Sequence, residues 1–375
     1  MFNDLDRTLA GQRTVVVGAG ILGTMHALFA VLRGAEVTHL ERDAVPRGAT
    51  VRNFGLVWVS GRAAGAELAL ALRARALWQE IGDALPGVGF RANGSLSLLR
   101  TDAELEVARR ALSRPDAVDR EFELLSREEA RRRNPALRGD FDAALFCGRD
   151  AAVESRSALG ALRDWMTASG RYRYLPGREL VGVTDGAVVD HRGERHGGDQ
   201  VWLCLGATLS GLAAELFEGE PLRRVRLLMA ETEPLGRALT TSVANGDSFR
   251  YYPGFRDDVA LLDEQDPYAR RFAIQLLCQQ RLHGGLTLGD THEADEPGLF
   301  ETRDRPMDVI VAAAREAIGD DLPAIERRWS GVYHQVESET ELYYRRELAP
   351  GVVAITGAGG RGMTAAPAIA EESFS

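Results

Sequence analysis

The sequence predicts an α/β fold with two interleaved domains, and three observations support this fold class. The chain has 375 residues, 45% of them hydrophobic, which is enough for two domains with a sizeable core. Residues 13–41 follow the order strand, glycine turn, helix and strand, with which parallel sheets in α/β proteins begin. No repeat or low-complexity linker interrupts the chain, so we expect each domain to be assembled from separated segments.

The first three elements are the most sharply bounded. Arg13–Val17 is an apolar run that ends at glycine, and it predicts a buried strand. Ile21–Leu32 has the pattern of a helix, which Gly34 ends. Glu36–Glu41 then predicts the second strand, parallel to the first because a helix connects them.

Later elements follow from helix caps, turns and apolar runs. Residues 101–104 (TDAE) and 126–129 (SREE) are capping boxes, each of which opens a helix, and the second helix must end before Pro135. The other predicted elements are helices at residues 68–81, 157–169, 267–282 and 306–318, strands at 91–99 and 201–207, a strand meander over 171–205, and a final strand, glycine turn and helix over 351–373.

Composition excludes several functional classes. The net charge of -10 argues against a nucleic-acid partner. No apolar run reaches the roughly 18 residues of a membrane span, and the N-terminus lacks the apolar core of a signal peptide, so we expect a cytoplasmic protein without a membrane partner. All 45 basic residues are arginine, which excludes a Schiff-base lysine and a P-loop lysine. We expect no metal site and no disulfide, because the cysteines are widely separated at Cys147, Cys204 and Cys278.

The turn after the first strand has the spacing of a dinucleotide-binding motif. Gly18 permits the tight turn, Gly20 lets a pyrophosphate approach the backbone, and Gly23 lets helix and strand pack closely. The helix N-terminus offers N–H groups and partial positive charge to the phosphates. Glu41, 18 residues after Gly23, is placed to accept both ribose hydroxyls and to repel a 2′-phosphate. NAD and FAD share this motif, so it does not separate them.

Three further segments resemble a known family. Residues 48–55 (GATVRNFG) follow the second strand, residues 206–207 (GA) end a buried strand, and residues 360–363 (GRGM) lie in the C-terminal turn. In this order they resemble the D-amino acid oxidase/glycine oxidase superfamily of FAD enzymes over nearly the whole chain. Residues 49–58 (ATVRNFGLVW), 289–293 (GDTHE) and 329–333 (WSGVY) are similar to a subfamily of oxidoreductases associated with phosphonate catabolism.

The resemblance implies a discontinuous, Rossmann-like FAD-binding domain and a mixed-sheet α+β substrate domain. The first would comprise residues 1–85, 145–215 and 325–375, and the second residues 86–144 and 216–324. The FAD would be noncovalent, since the C-terminal turn contains no cysteine. Implied contacts place Arg42 at the adenosine end, Leu180 at adenine, residues 52–55 beside the isoalloxazine ring and residues 360–363 at its N1/O2 edge. The residues implied to bind FAD are Gly18, Gly20, Ile21, Leu22, Gly23, Glu41, Arg42, Arg52, Asn53, Phe54, Gly55, Leu180, Gly206, Gly360, Arg361, Gly362 and Met363.

The resemblance also implies the oxidation of a small-molecule amine, with hydride transfer to flavin N5 and hydrolysis of the imine. Oxygen or another electron acceptor would complete the cycle. Relatives that bind carboxylates place an arginine two residues after the glycine of a W.GLRP-like turn, whereas here Tyr333 follows Gly331 at that spacing. Tyrosine cannot form the bidentate ion pair, which favours an aminoethylphosphonate or its N-alkyl derivative. The substrate-side candidates are Tyr252, Arg361, Arg250 and His334.

Other functions stay open at this point. A general amino acid or sarcosine-type oxidase is one alternative, although sarcosine oxidase-like enzymes use a lysine near the flavin for oxygen reduction and this chain has none. An NAD-linked dehydrogenase is a second. A flavin-containing subunit or sensor that binds FAD without turnover is a third, and it is not an enzyme.

Overall fold

The computed structural model describes residues 7–208, 210–294, 301–338 and 340–375. Its strands are β1 (Arg13–Val17), β2 (Glu36–Glu41), β3 (Leu56–Val57), β4 (Ser95–Leu99), β5 (Phe122–Ser126), β6 (Ala143–Cys147), β7 (Ala151–Ala152), β8 (Tyr172–Pro176), β9 (Leu180–Thr184), β10 (Ala187–Asp190), β11 (Arg195–Gly197), β12 (Gln200–Leu203), β13 (Leu222–Pro234), β14 (Ser242–Asn245), β15 (Leu277–Gln280), β16 (Gly285–Gly289), β17 (Glu293–Ala294), β18 (Ile325–Val336), β19 (Tyr344–Ala349) and β20 (Val352–Thr356). Its α-helices are α1 (Ile21–Leu32), α2 (Ala66–Ala84), α3 (Asp102–Ser113), α4 (Ala117–Arg120), α5 (Arg127–Arg133), α6 (Ala158–Ala168), α7 (Leu212–Glu215), α8 (Ser248–Tyr251), α9 (Pro267–Arg271), α10 (Asp304–Ile318) and α11 (Gly362–Ser373). Short 3₁₀ helices occupy Ala49–Arg52, Pro86–Val88, Pro253–Leu261 and Gly359–Arg361.

A sheet of six strands within the described ranges is built around β1. Its order is β19-β20-β12-β1-β2-β8, and all neighbours are parallel except the edge strand β19. The parallel strands have the connectivity of a doubly wound dinucleotide-binding sheet, which reverses direction between β1 and β12. Val16 and Trp202 face the helices α1, α2, α6 and α11, whereas Val15 and Leu203 face the opposite core. Ligands bind at the carboxyl ends of strands where such a sheet reverses, so the fold places a site beside β1 and β12.

The second large sheet has nine strands in the part of the chain that the structure describes. Its order is β17-β13-β16-β15-β14-β4-β6-β5, with β18 on the other edge of β13. Side chains of β13 alternate between two faces. Val225, Leu227 and Met229 belong to one core cluster, and Leu228 and Ala230 belong to another, which α10 covers. The face that carries Val225, Leu227 and Met229, called the second face below, is opposite α10 and can line a site.

Most predicted elements match the structure in kind and place. β1, α1 and β2 have the predicted bounds. Both capping boxes form, with Thr101 accepting from the Glu104 N–H and Ser126 from the Glu129 N–H. α5 ends at Arg133, before Pro135 as predicted. The α/β fold class is confirmed.

The helix predicted over residues 267–282 is wrong. α9 ends at Arg271, and Leu277–Gln280 is strand β15, which pairs with β14 and β16. Ala273 has a φ of 43°, which no right-handed helix accommodates. A buried position between two strands outweighs the helical pattern of this segment.

The predicted meander differs from the structure in detail, and the predicted domain bounds stay a prediction. The meander predicted over residues 171–205 exists as β9, β10 and β11, whereas β8 and β12 are parallel strands of the six-stranded sheet. The domain bounds stay a prediction. β18, which starts at the predicted beginning of the last FAD-binding segment, pairs with β13 in the other sheet.

Candidate active site

The glycine turn between β1 and α1 is held by a carboxylate at the end of β2. Glu41 is 8% exposed, and its Oε2 accepts a hydrogen bond from the Ala19 N–H at 2.7 Å. Gly18 has a φ of 98°, and a Cβ atom there would collide with the carbonyl oxygen of Cys204. A Cβ atom at Gly23 would collide with the carbonyl oxygen of Gly18. The turn therefore brings the N-terminus of α1 close to the acidic end of β2.

The 3₁₀ helix Ala49–Arg52 closes against the start of α1. Its Thr50 hydroxyl accepts a hydrogen bond from the Ile21 N–H at 2.9 Å. The Asn53 Nδ2 donates to the carbonyl oxygen of Thr50 at 2.9 Å, and its Oδ1 accepts from the Gly55 N–H at 2.6 Å. Gly55 has a φ of 79°, so Asn53 stabilises a turn that needs glycine.

The C-terminal turn, formed by the 3₁₀ helix Gly359–Arg361 and the start of α11, is tied to α2. The Arg361 Nε donates to Glu67 Oε1 at 2.7 Å, and its Nη1 donates to the carbonyl oxygen of Leu342 at 3.0 Å. Arg62 Nη1 lies 3.6 Å from the same Glu67 carboxylate. Burial raises the pKa of Glu67, but the two arginines outweigh it and the pKa lies below its usual value. Glu67 is therefore ionised and neutralised by two guanidinium groups.

Two cavities meet at these turns. The smaller, of about 220 Å³, lies beside the glycine turn and the carboxyl ends of β2 and β12. The larger, of about 720 Å³, lies between the C-terminal turn and the second face of the nine-stranded sheet. The residues that line both cavities are Ile21, Ala49, Thr50, Tyr333, Gly359 and Gly362. Because they share these walls, the two cavities lie next to each other.

A buried carboxyl group faces the larger cavity. Asp290 is 5% exposed, and its Oδ1 accepts a hydrogen bond from Gln275 Nε2 at 3.2 Å. Backbone hydrogen bonds in both directions join the same two residues. Burial raises the pKa of Asp290 to about 7, and the Gln275 hydrogen bond opposes this. Among the described residues no arginine pairs with Asp290.

Aromatic rings surround this carboxyl group. The Tyr251 hydroxyl lies 3.2 Å from the Tyr333 hydroxyl, and the Tyr251 ring stacks on His292 with 3.7 Å between centroids. His292 Nε2 lies 3.7 Å from Asp290 Oδ2. Burial lowers the pKa of His292 to about 3; the Ala273 carbonyl opposes this shift and the Arg223 charge adds to it. His292 is therefore neutral at physiological pH.

The arginines of the larger cavity differ in their partners. Arg250 Nε lies 3.1 Å from an oxygen of Asp247, and Arg361 is paired with Glu67. Arg223 has no hydrogen-bond or ion-pair partner within residues 7–208, 210–294, 301–338 and 340–375, and its Nε is buried. Arg256, exposed at the rim, is also without a partner in these ranges. The guanidinium group of Arg223 is therefore available to bind an anion in the larger cavity.

The structure brings nearly all the residues predicted from the sequence to these two cavities. Those that line the smaller cavity are Gly18, Gly20, Leu22, Glu41, Arg42, Leu180, Gly206 and His334. Those that line the larger one are Arg52, Asn53, Phe54, Arg250, Tyr252, Gly360, Arg361 and Met363, while Ile21 and Gly362 line both. Gly23 and Gly55 lie outside both linings and act through close backbone contacts.

Two substrate-side candidates occupy positions that do not favour their predicted role. His334 lines the smaller cavity, and burial, reinforced by Arg224, lowers its pKa to about 4. Arg361 is committed to Glu67. Tyr252 lines the larger cavity beside Arg62, whose guanidinium lies 5.9 Å from the ring centroid.

Four polar residues that line the larger cavity are not apparent as site residues from the sequence. Asp290 and His292 lie in the GDTHE segment, which carries only a family likeness. Gln275 lies in a stretch predicted as helix, so the sequence assigns its side chain to no site. Arg223 is one of 45 basic residues, and only its place on the cavity face of β13 distinguishes it.

An acidic cluster in the β10–β11 hairpin lines neither cavity, although Arg178, which lines the smaller one, donates to it. Asp190, Glu194 and His196 approach one another there. Asp190 Oδ1 accepts from the Arg192 and Glu194 N–H groups at 2.9 and 3.1 Å, and Oδ2 accepts from Arg178 and His196. Protein donors therefore already satisfy this carboxylate. None of the described helices combines the length and the apolar character needed to cross a membrane.

Comparison with known proteins decides the family. The model of the FAD dependent oxidoreductase family, DAO, matches residues 13–373. The chain belongs to this family. FAD is accordingly its cofactor, which removes the NAD alternative.

The chain is also similar to individual proteins, at low sequence identity. Over 166 residues, 41% of this chain, the sequence is 28% identical to one of the subunits of an opine oxidase from Rhizobium meliloti, and the match spans 45% of that relative's length. The fold is similar to glycine oxidase from Geobacillus kaustophilus, with 16% identity, coverage of 97% of this chain and 94% of that chain, and a TM-score of 0.77. It is also similar to iminodiacetate oxidase from Chelativorans sp. BNC1, with 20% identity, 96% and 93% coverage, and a TM-score of 0.75.

The residues present fit the FAD of this family. The two adjacent cavities run from the glycine turn to the nine-stranded sheet, and the smaller one combines a helix N-terminus with the buried carboxylate of Glu41. Where the cavities join, glycines keep the walls free of side chains: Gly359 and Gly362 line both cavities.

Proposed function

We propose that the protein oxidises a C–N bond of a small amine that carries an anionic group, with 2-aminoethylphosphonate or an N-alkyl derivative as substrate. The observation that carries this proposal is Arg223, a guanidinium group in the larger cavity with no partner among the described residues. A partly buried, unpaired cation is costly, and a bound anion offsets this cost through charge-assisted hydrogen bonds.

FAD would extend across the two adjacent cavities. We assign the pyrophosphate to Gly18, Gly20 and the start of α1, and the ribose hydroxyls to Glu41. Leu180 would contact adenine, and residues 360–363 would face the edge of the ring where negative charge develops. Bound FAD supplies the acceptor for the hydride that leaves the carbon next to nitrogen. The imine released by this oxidation is hydrolysed by water.

Two features favour a phosphonate over a carboxylate. Tyr333, which stands where carboxylate-binding relatives are expected to have arginine, is buried and hydrogen-bonded to Tyr251. The arginines nominated from the sequence, Arg250 and Arg361, are paired with Asp247 and Glu67. A phosphonate has three oxygens and up to two charges, so it gains more than a carboxylate from an unengaged guanidinium group.

The test is anaerobic rapid mixing of the holoenzyme with a panel of amines, following the flavin absorbance. The panel contains 2-aminoethylphosphonate, its N-methyl derivative, glycine, sarcosine and D-alanine. We expect one of the two phosphonates to reduce the flavin fastest at equal concentration. If glycine, sarcosine or D-alanine is fastest, the general amino acid oxidase alternative replaces the phosphonate proposal.

A second candidate is an FAD-binding subunit that needs another chain for turnover. The likeness to a protein named as a subunit favours it. In that case the isolated protein would bind FAD, yet no amine of the panel would reduce it. Oxygen or another electron acceptor would reoxidise the flavin in the enzymatic case, and oxygen consumption after reduction distinguishes the two acceptors.

A further inference from the structure

The larger cavity contains a set of acceptors suited to an ammonium group. Asp290 contributes a buried carboxyl group whose Oδ1 receives one hydrogen bond, from Gln275. The Gln275 Oε1 is itself buried and has no hydrogen-bond partner among the described residues. An alkylammonium has up to three N–H donors, and it would satisfy both groups at once.

The walls around these acceptors also favour a cation. Tyr251, Tyr252, Tyr333 and Trp58 line the same cavity, and aromatic faces attract cations when water is excluded. The carboxylates of the cavity that lie near arginines are already neutralised, as Glu67 and Asp247 show. Asp290 differs from them because no arginine pairs with it among the described residues.

We propose that Asp290 and Gln275 bind the ammonium group of the substrate and that Asp290 accepts its proton before the C–H bond breaks. This assignment rests on the proposed amine oxidation. The N–H bond breaks, an O–H bond forms on Asp290, and the amine keeps the electron pair. A neutral amine is required because that pair stabilises the positive charge that develops on the carbon as hydride leaves. Asp290 returns the proton to water after the product has left.

The electrostatic surroundings suit a proton acceptor. A carboxyl group with a pKa of about 7 lies closer to an alkylammonium pKa of about 10 than an ordinary aspartate does, which reduces the cost of the transfer. The titratable groups facing Asp290 are His292, Tyr251, Tyr252 and Tyr333. His292 is neutral, and burial raises the pKa of each tyrosine, so none of these groups titrates near pH 7. The permanent charges that act on this group of residues are Arg62 and Arg361, near Tyr251, and Arg223, near His292.

Binding of an amine that cannot be oxidised separates this step from turnover. The probe is 2-amino-2-methylpropane-1-sulfonate, which has no hydrogen on the carbon next to nitrogen and whose sulfonate does not titrate. Propane-1-sulfonate is the matched ligand without an ammonium group. Calorimetry on the oxidised holoenzyme, in two buffers of different ionisation enthalpy, counts the protons released on binding between pH 5.5 and 8.5. We expect nearly one proton released per amine at pH 5.5 and almost none at pH 8.5, with no such change for propane-1-sulfonate.

The variant Asp290→Asn keeps the shape of the side chain and removes its charge. We expect it to bind the amine probe about tenfold to a hundredfold more weakly at pH 8 and to release no proton at any pH. The matched control is Asp263→Asn, an exposed aspartate at the rim of the same cavity, which should behave as the unmodified protein. The pH dependence of flavin reduction by the fastest amine should lose its step near pH 7 only in Asp290→Asn.

The possible outcomes separate the two proposals. If the unmodified protein binds the probe without releasing a proton at pH 5.5, or if Asp290→Asn binds it equally well, the assignment of Asp290 is wrong and the proposed function stands. If the unmodified protein binds neither ligand and no amine reduces the flavin, the proposed function fails together with the assignment. The proton count uses the unmodified protein, so it tests the assignment of Asp290 even if the variant does not fold.

Discussion

The Nε of Arg361 in the C-terminal turn donates to Glu67 Oε1 in α2 across 2.7 Å. The two residues are 294 positions apart in sequence, and Arg62 Nη1 lies 3.6 Å from the same carboxylate oxygen. Arg361 therefore holds the turn in position, and its role as a substrate anchor stays a prediction.

Glu67→Gln should destabilise the protein by about 2–4 kcal/mol, because it leaves two largely buried guanidinium groups without their counter-ion. Thermal and urea unfolding of the FAD-loaded protein measure this change. The control is Glu371→Gln, which breaks the more exposed Arg73–Glu371 pair and should cost less than about 1 kcal/mol. Equal losses in the two variants would mean that burial does not set the value of the Glu67 pair.

Gly18→Ala should destabilise the protein by more than about 2 kcal/mol and abolish FAD retention. The new Cβ would collide with the carbonyl oxygen of Cys204, and the positive φ of Gly18 disfavours any side chain. Gly160→Ala in α6 is the control, since a Cβ atom there meets nothing within 4 Å. Flavin content after gel filtration and the unfolding midpoint measure both effects, and normal flavin content in Gly18→Ala would contradict the assigned turn.

Glu41→Gln should weaken FAD binding about tenfold to a hundredfold. The substitution removes a charged acceptor at the proposed ribose position and weakens the hydrogen bond from the Ala19 N–H. Glu36→Gln, at the exposed start of the same strand, should have no effect. Equilibrium dialysis of the apoprotein with FAD gives both dissociation constants, and an unchanged value for Glu41→Gln would place the ribose elsewhere.

Much of the fold follows from local signals that act within a few residues. The bounds of α1 and the two capping boxes are predictable because a glycine turn, a cap and an apolar pattern all indicate the same structure. β15 is not predictable in this way, since its strand conformation depends on β14 and β16, which lie elsewhere in the sequence. Pairing between strands that are distant in sequence cannot be predicted from a local pattern of residues.

The residues of the site also fall into a group that local sequence signals predict and a group that depends on long-range pairing. Glu41 and the glycines belong to one short unit in which spacing alone brings them together. Arg223 and Asp290 come from different parts of the nine-stranded sheet, and their relation to the cavity exists only after β13, β15 and β16 have paired. The sequence also does not show that Arg361 has a partner in α2, because their contact is purely tertiary.

Arg223→Gln should weaken binding of an anionic amine about tenfold to a hundredfold and leave FAD binding unchanged. The neighbouring variant Arg224→Gln is the control, because Arg224 is exposed and alternation along β13 directs it to the opposite face. The concentration dependence of flavin reduction by 2-aminoethylphosphonate gives the two affinities. If both variants retain the affinity of the unmodified protein, the anion is bound by another group.

Asp290→Asn should stabilise the ligand-free protein at pH 8 by about 2–4 kcal/mol. Asp290 has a folded-state pKa of about 7, above the unfolded value of about 3.9, so folding favours its protonated form. Its contribution to stability is fully present below pH 4 and is lost as the pH rises to about 7. The stability difference between variant and unmodified protein should therefore grow between these values and then stay constant. A difference that does not vary with pH would show that Asp290 has an ordinary pKa in the folded protein.

The alternation of β13 has an evolutionary consequence. Arg223, Leu227 and Met229 line the cavity, whereas Leu228 and Ala230, on the opposite face, pack into a separate core that maintains the fold. Substitutions at the first set can change the shape and charge of the binding surface without disturbing the second. A descendant of this protein can therefore acquire a different substrate through a few changes at odd-numbered positions of one strand, with the core on the opposite face left intact. A library randomised at only these three positions would explore that diversity directly.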